Sequence, residues 1–130
     1  MVGSVLVDSC YYITRLKRGF DPAEDFIAWA DDCDFYTCGV VKIEVLRGLK
    51  LKKTYDRVGE LMGCMLYVPT GNSIWERAQK LAHDLDRQGI VMQVTDLIIA
   101  ACALEVGATV LTYDSDFYRV PKLRVIDSLE

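Results

Sequence analysis

The sequence predicts a single α/β domain spanning residues 1–130, a three-layer sandwich with a central parallel sheet of four to five strands flanked by helices. Three observations carry this. Short β-branched, apolar runs alternate along the chain with segments of helical periodicity. Strands separated by helices imply right-handed crossovers and a sheet covered on both faces. The length of 130 residues, with 52% hydrophobic and 26% charged side chains, fits one core and excludes disordered, collagen-like or fibrous chains.

The elements follow in order. SVLVD (Ser4–Asp8) is apolar and β-branched, as a buried strand should be. Asp21-Pro22 places a capping carboxylate before a proline at the first helical position, opening DPAEDFIAWADD. DFYTC (Asp34–Cys38) is the next short strand. VVKIEVLRGLK repeats Val41, Val45, Leu46 and Leu49 at helical spacing. A further helix covers about Thr54 to Met62, and CMLYV (Cys64–Val68) is a strand closed by Pro69. Asn72 or Ser73 caps the long helix IWERAQKLAHDLDRQ, which Gly89 ends. Thr95 caps DLIIAACALEV, with Gly107 as its stop. TVLTY (Thr109–Tyr113) is a strand, DSDFYRVP a turn, and LRVID the last strand.

Composition narrows the chemistry. The net charge of −4 rules out a generally basic coat. One stretch departs from that average: Lys42–Arg57 holds six basic residues and two acidic ones, so Arg47, Lys50, Lys52 and Lys53 are candidates to steer a polyanion, or simply a solvated helix face. Five scattered cysteines without a CxxC pair predict reduced thiols rather than a zinc site. The only histidine, His83, lies mid-helix and excludes a two-histidine acid–base mechanism. The start, MVGSVLVDSC, lacks a positive region, and the longest apolar run, Leu97 to Leu104, is far below the roughly 20 residues that span a bilayer. A cytoplasmic location without membrane contact is expected.

Five acids stand where ligands gather, at the carboxyl ends of parallel strands. Asp8 ends the first strand, Asp114 and Asp116 follow the penultimate one, Asp96 opens an almost wholly apolar helix, and Glu44 interrupts another. Each has an ordinary alternative: Asp8 as a cap for a following helix, Asp96 favouring a helix dipole, Glu44 on a wet face beside Lys42 or Arg47, and Asp114 and Asp116 as turn residues. Taken together, four separate elements deliver carboxylates to one edge. Converging carboxylates repel unless a cation neutralises them, and hard oxygen ligands suit Mg²⁺ or Mn²⁺. Phosphodiester hydrolysis by metal and acids alone fits a chain almost without histidine.

The segments LVDSCYYI, IEVLRG, TDLIIAACAL and LTYDSDF resemble, in order and spacing, the four successive motifs of PIN-domain nucleases, nearest the VapC-type toxins of type II toxin–antitoxin pairs. The resemblance runs over about residues 4–127. It implies a PIN-like five-stranded sheet and a Mg²⁺- or Mn²⁺-dependent endoribonuclease that hydrolyses RNA. Asp8, Glu44 and Asp96 match the family's first three acids. Asp116, just before Phe117, fits the fourth, and Asp114 fits an acid found two residues earlier. Asp8, Asp96 and Asp116 are the implied metal ligands, with Glu44 completing the shell or orienting water. Ser9 and Thr112 match hydroxyl positions that hydrogen-bond the acids. The resemblance also implies a homodimer and a VapB-like antitoxin seated in a groove near the site. Candidates to line that groove are Leu16, Phe26, Trp29 and Trp75, which core packing would equally explain. Tyr11, Tyr12 and Tyr113 are candidates to stack on RNA bases or to pack internally.

Departures from the family pattern are mild: Cys10 replaces a usual Ser, Asn or other small residue, Leu97 a common Ala, and Tyr11-Tyr12 is bulky. Haloacid-dehalogenase-like phosphatases and phospho-receivers also cluster acids at strand ends. The first need DxDx[TV], whereas Ser9-Cys10-Tyr11 follows Asp8, and the second need an adjacent acidic pair and a late lysine. A catalytically silent PIN-fold module that binds RNA or protein is the alternative, and it would not require the full set of acids.

Overall fold

The computed structural model describes residues 3–130, so Met1 and Val2 of the expected domain lie outside the described residues. Five strands form one all-parallel sheet: β1 (Ser4–Val7), β2 (Asp34–Cys38), β3 (Leu66–Val68), β4 (Thr109–Leu111) and β5 (Val125–Ile126), in the spatial order β3-β2-β1-β4-β5. The chain therefore starts in the centre and runs outward in both directions. β1 aligns Leu6 with Tyr36 of β2 and with Val110 of β4. Central position explains why Val5, Leu6 and Val7 are wholly buried.

Six helices cover the sheet: α1 (Ser9–Lys17), α2 (Pro22–Trp29), α3 (Gly39–Leu46), α4 (Lys52–Gly63), α5 (Asn72–Arg87) and α6 (Val94–Val106). The Asp21 cap with Pro22 at the first turn is present, its side chain accepting from the Ala23 N–H at 3.0 Å. Residues 97–103 of α6 are buried on every side, which accounts for its nearly unbroken apolar sequence. Gly107 ends α6 in the left-handed conformation, φ 67°, a region that glycine enters without a Cβ clash.

Several boundaries differ from the sequence reading. Of α1 the sequence offers only the Asp8 cap, because Tyr11, Tyr12, Ile13 and Thr14 are aromatic or β-branched and poor helix formers; the cap is present, and burial of the two tyrosines overrides that propensity. β1 stops at Val7, and Asp8 turns to cap α1 instead of continuing the strand. α5 is preceded by Gly71 at the cap, not Asn72 or Ser73, and α6 by Gln93, not Thr95; neither makes a side-chain cap bond. The third, fourth and fifth strands are shorter than expected, since only part of each finds a ladder partner. DSDFYRVP contains a 3₁₀ turn at Ser115–Arg119, anchored by buried Phe117. No helix among the described residues is long and apolar enough to cross a membrane.

The core is continuous between sheet and helices, with Ile99 fully buried at the centre of α6. Replacing Ile99 with Ala removes three carbons from a close-packed interior. Urea unfolding should show a loss of about 2–5 kcal/mol with an unchanged denaturant slope.

Candidate active site

The site is built where β1 and β4 end side by side. Asp8 is 2% exposed, and such a carboxylate requires hydrogen-bond partners. Its Oδ1 accepts the Ser9 backbone N–H at 2.8 Å, the first free donor of α1. Its Oδ2 accepts the Thr112 hydroxyl at 2.8 Å, from just beyond β4. The Asp8 backbone N–H also reaches Leu111 O at 2.9 Å, so the two strand ends cannot separate without breaking several bonds.

Thr112 carries the next layer. Its single hydroxyl hydrogen goes to Asp8, so its oxygen accepts from its other neighbours. These are the Asp114 N–H at 2.9 Å and the Cys10 thiol at 2.9 Å. Cys10 Sγ in turn accepts the Tyr113 N–H at 3.4 Å. Burial, followed by the charge of Asp8, pushes the Cys10 thiol up to about 12, which keeps it protonated and able to donate. The sequence held no signal for this link between residues 102 apart; Cys10 stood out there only as a departure from a family pattern.

Ser9 ties in a third element, its hydroxyl donating to Glu44 Oε1 at 3.0 Å. That bond turns Glu44, half-buried on α3, toward Asp8 rather than toward a wet face. Asp114 accepts the Asp116 N–H at 2.9 Å and so caps the 3₁₀ turn, which means its turn role and its place in the acid cluster coexist.

Asp96 completes the group from the first turn of α6. Burial raises its carboxyl to about 7, and the charges of Asp8, Asp114, Glu44 and Asp116 add to the rise in that order. All five acids singled out in the sequence are thus brought within electrostatic reach of one point. Ser9 and Thr112 occupy the hydrogen-bonding positions expected of them. Arg47, Lys50, Lys52 and Lys53 lie outside this cluster. Lys52 pairs with Asp56 at 2.9 Å, and Lys50 and Lys53 make no ion pair among the described residues.

The donor set is oxygen only, which suits a hard divalent cation. Among the described residues no three Asp, Glu, His or Cys side chains are grouped as ligands of one ion. Mg²⁺ commonly takes only one or two protein carboxylates and keeps waters and substrate phosphates as its other ligands. The residues present fit an ion held in that open manner.

Two expectations are corrected. Leu16, Phe26 and Trp29 line three different cavities rather than one groove, and Trp75 lies apart on α5 with its indole N–H on Thr70 O. Phe26 is core, packed on Tyr12 and Phe35. Tyr12 is fully buried, with its hydroxyl on the sulfur of Met65, and is closed to any RNA base.

A carboxylate cluster at the carboxyl edge of a parallel sheet defines the class: an acid-lined α/β site set where the two central strands end. The family is then plain, because the PIN domain model matches residues 5–123 and the chain belongs to that family. It is similar to "Ribonuclease VapC21" of Mycobacterium tuberculosis, 31% identical over 86 residues, which are 64% of this chain and 62% of that protein. The chain thus spans less than two-thirds of the length of that relative. It is also similar to "Ribonuclease VapC" of Rickettsia bellii, 28% identical over 94% of each chain. Among solved structures, the crystal structure of VapBC2 from Rickettsia felis bound to a promoter DNA fragment superposes with a TM-score of 0.80 at 17% identity, over 95% of this chain and 97% of that one. Mycobacterium tuberculosis VapC20, described as a sarcin–ricin loop cleaving toxin, gives 0.65 at 13% identity over 88% and 92%. At such identities the superpositions speak for the fold alone.

The raised Asp96 carboxyl has a defined consequence for the metal-free protein. An acid bound more tightly in the folded state contributes stability that is full below its unfolded value of about 3.9 and lost as pH rises through about 7. Asp96→Asn removes the charge that the folded state resists. In chelator, the variant should melt higher than the parent at pH 8 by roughly 2–5 °C, with the gap narrowing at pH 5. A gap that widens toward acid would contradict this account.

Proposed function

We propose that the chain is a Mg²⁺- or Mn²⁺-dependent endoribonuclease, the VapC-type toxin of a cytoplasmic toxin–antitoxin pair, acting as a homodimer and held in check by a VapB-like antitoxin. The observation that carries the reading is the convergence of five carboxylates on the end of β1 and β4, where burial first and the charges of the other four acids second lift Asp96 toward neutrality. Kinship with proteins named ribonuclease VapC supports the choice of RNA as substrate.

One or two of Asp8, Asp96 and Asp116 would hold the ion directly and the remainder through its waters, with Asp114 beside Asp116. A bound divalent ion supplies neutralising charge and Lewis acidity toward the scissile phosphate and the attacking water. The chain's own residues do the rest. Thr112 and Ser9 fix the Asp8 carboxylate so that it need not reorganise as charge builds on the phosphate. Glu44, oriented by the Ser9 hydroxyl, is placed to accept a proton from water or to orient it. Within the basic stretch Lys42–Arg57, Arg47 stands at the end of the helix that carries Glu44, and Lys50 and Lys53 follow it as contacts for the RNA backbone.

RNA cleavage by the purified chain tests the reading, with structured tRNA and a mixed single-stranded pool as substrates. Cutting should require Mg²⁺ or Mn²⁺, stop in EDTA, and fall by about 10²-fold or more in Asp8→Asn and in Asp96→Asn. Absence of cutting together with absence of divalent-ion binding by calorimetry would sink it in favour of a silent binding module. A second test concerns the basic stretch. The double change Lys50→Glu, Lys53→Glu should weaken RNA binding and shallow its log–log salt slope by about 0.7 for each phosphate no longer neutralised. An unchanged slope would remove these lysines from the interface.

A further inference from the structure

Of the two bonds at 2.8 Å that hold the Asp8 carboxylate, one comes from a backbone N–H fixed by α1 and the other from a hydroxyl free to rotate. That hydroxyl, on Thr112, has polar neighbours in three directions: Asp8 Oδ2 at 2.8 Å, the Asp114 N–H at 2.9 Å and Cys10 Sγ at 2.9 Å. A carboxylate oxygen only accepts and an N–H only donates, so two of these roles are fixed. The third follows from them. With its hydrogen on Asp8 and one lone pair on the Asp114 N–H, Thr112 has a single lone pair left, and the Cys10 thiol fills it. Were sulfur the acceptor, the hydroxyl hydrogen would turn away and leave two oxygens facing each other at 2.8 Å.

The same sulfur also works in the other direction. It accepts the Tyr113 N–H at 3.4 Å, one residue before the N–H that Thr112 takes. Cys10 stands in the first turn of α1, and the chain it grips leads into the 3₁₀ turn that carries Asp114 and Asp116. A helix start and an acid-bearing turn are thereby fastened together beside Asp8.

A thiol is a weak donor, so its importance here lies in direction rather than strength. Among the three partners of Thr112, Cys10 is the one apart from Asp8 that has lone pairs to offer the hydroxyl hydrogen, and by donating it closes that route. A side chain without a donor would leave the position to water, which accepts as readily as it donates and would draw the hydrogen off Asp8. Serine can donate and accept as cysteine does; alanine can do neither.

We propose that Cys10 is a positioning residue for the metal site, acting through Thr112 to hold the Asp8 carboxylate at one angle to the bound ion. The catalytic consequence rests on the metal-dependent nuclease reading; the direction of the hydrogen bond does not. Groups that orient the ligands of a metal count for about 10- to 100-fold in its affinity or in activity. Cys10 stands one hydrogen bond further out, so the lower figure applies to it. The role gives Cys10 no contact with RNA, so its effect falls on Mn²⁺ affinity and kcat and leaves KM unchanged.

Two measurements on the full chain test this. The first is infrared difference spectroscopy of the parent against Cys10→Ser in EDTA, because the S–H stretch lies clear of other protein bands. The band lost with Cys10 should lie on the low-frequency side, as for a thiol whose hydrogen is on oxygen. A band at the position of an unbonded thiol would overturn the proposal. The second compares Cys10→Ala with Cys10→Ser, well below the melting temperature of each in EDTA, so that a loss of folded protein contributes nothing. The alanine variant should bind Mn²⁺ about 10-fold more weakly by calorimetry and lose kcat by a similar factor at unchanged KM, and serine should restore most of both. Should Cys10→Ala fail to fold, the infrared reading decides alone. Parent-like Mn²⁺ affinity and kcat in folded Cys10→Ala would overturn the positioning role and leave the nuclease reading intact. A loss that serine does not restore would overturn it in favour of sulfur as packing. A low-frequency S–H band in a parent chain that neither binds Mn²⁺ nor cuts RNA would overturn the nuclease reading, with the hold of Cys10 on Thr112 upheld.

Discussion

Asp8 is the point on which the architecture turns. A carboxylate almost sealed from water has to be surrounded by donors, and those donors come from the two elements that flank it in space. The Ser9 N–H is available only because α1 begins there, and the Thr112 hydroxyl is available only because β4 ends alongside β1. Strand pairing, helix start and acid placement are thus one arrangement. Disturbing any of them leaves a buried charge without partners, a loss far larger than that of a typical surface ion pair.

From that point the site extends by short covalent steps and shared hydrogen bonds. Thr112 serves Asp8, Asp114 and Cys10 at once; Ser9 serves Asp8 and Glu44. Each hydroxyl has one hydrogen, so the direction of donation is forced and the carboxylates keep their remaining lone pairs for other partners. The cost of burying an acid among other acids is visible at Asp96, with burial the larger part. A folded chain that resists ionising one of its own acids is one that a cation would stabilise, and the buried apolar helix α6 supplies the rigidity that keeps Asp96 from retreating.

Electrostatics divides the surface around the site. Lys50 and Lys53 lie beyond α3 in the basic stretch, and Arg18 reaches over Tyr113, whereas the cavity beside Tyr11 and Tyr113 is rimmed by carboxylates. Net charge conceals this: the chain is acidic as a whole, and its basic residues count by position.

Much of this was legible in the sequence. The alternation of β-branched runs and helical spacing pointed to the α/β class, since burial on two faces demands apolar strands. Asp8, Glu44, Asp96, Asp114 and Asp116 were legible because acids at strand ends or within apolar helices are costly unless used. Other features depend on meetings between distant residues and left no local trace. Apart from its Asp8 cap, the helix at Ser9–Lys17 gave no sign of itself, and it forms against its own propensity because Tyr11 and Tyr12 find a core. Leu16, Phe26 and Trp29 are similar in pattern yet face three separate cavities. Cys10 meets Thr112 across 102 residues, and of Tyr11, Tyr12 and Tyr113 only the last is exposed. Residue type and period determine which side chains must be buried or charged, because those preferences are local; which partner each one meets is decided by chain closure in three dimensions, where residues far apart in sequence compete for the same space.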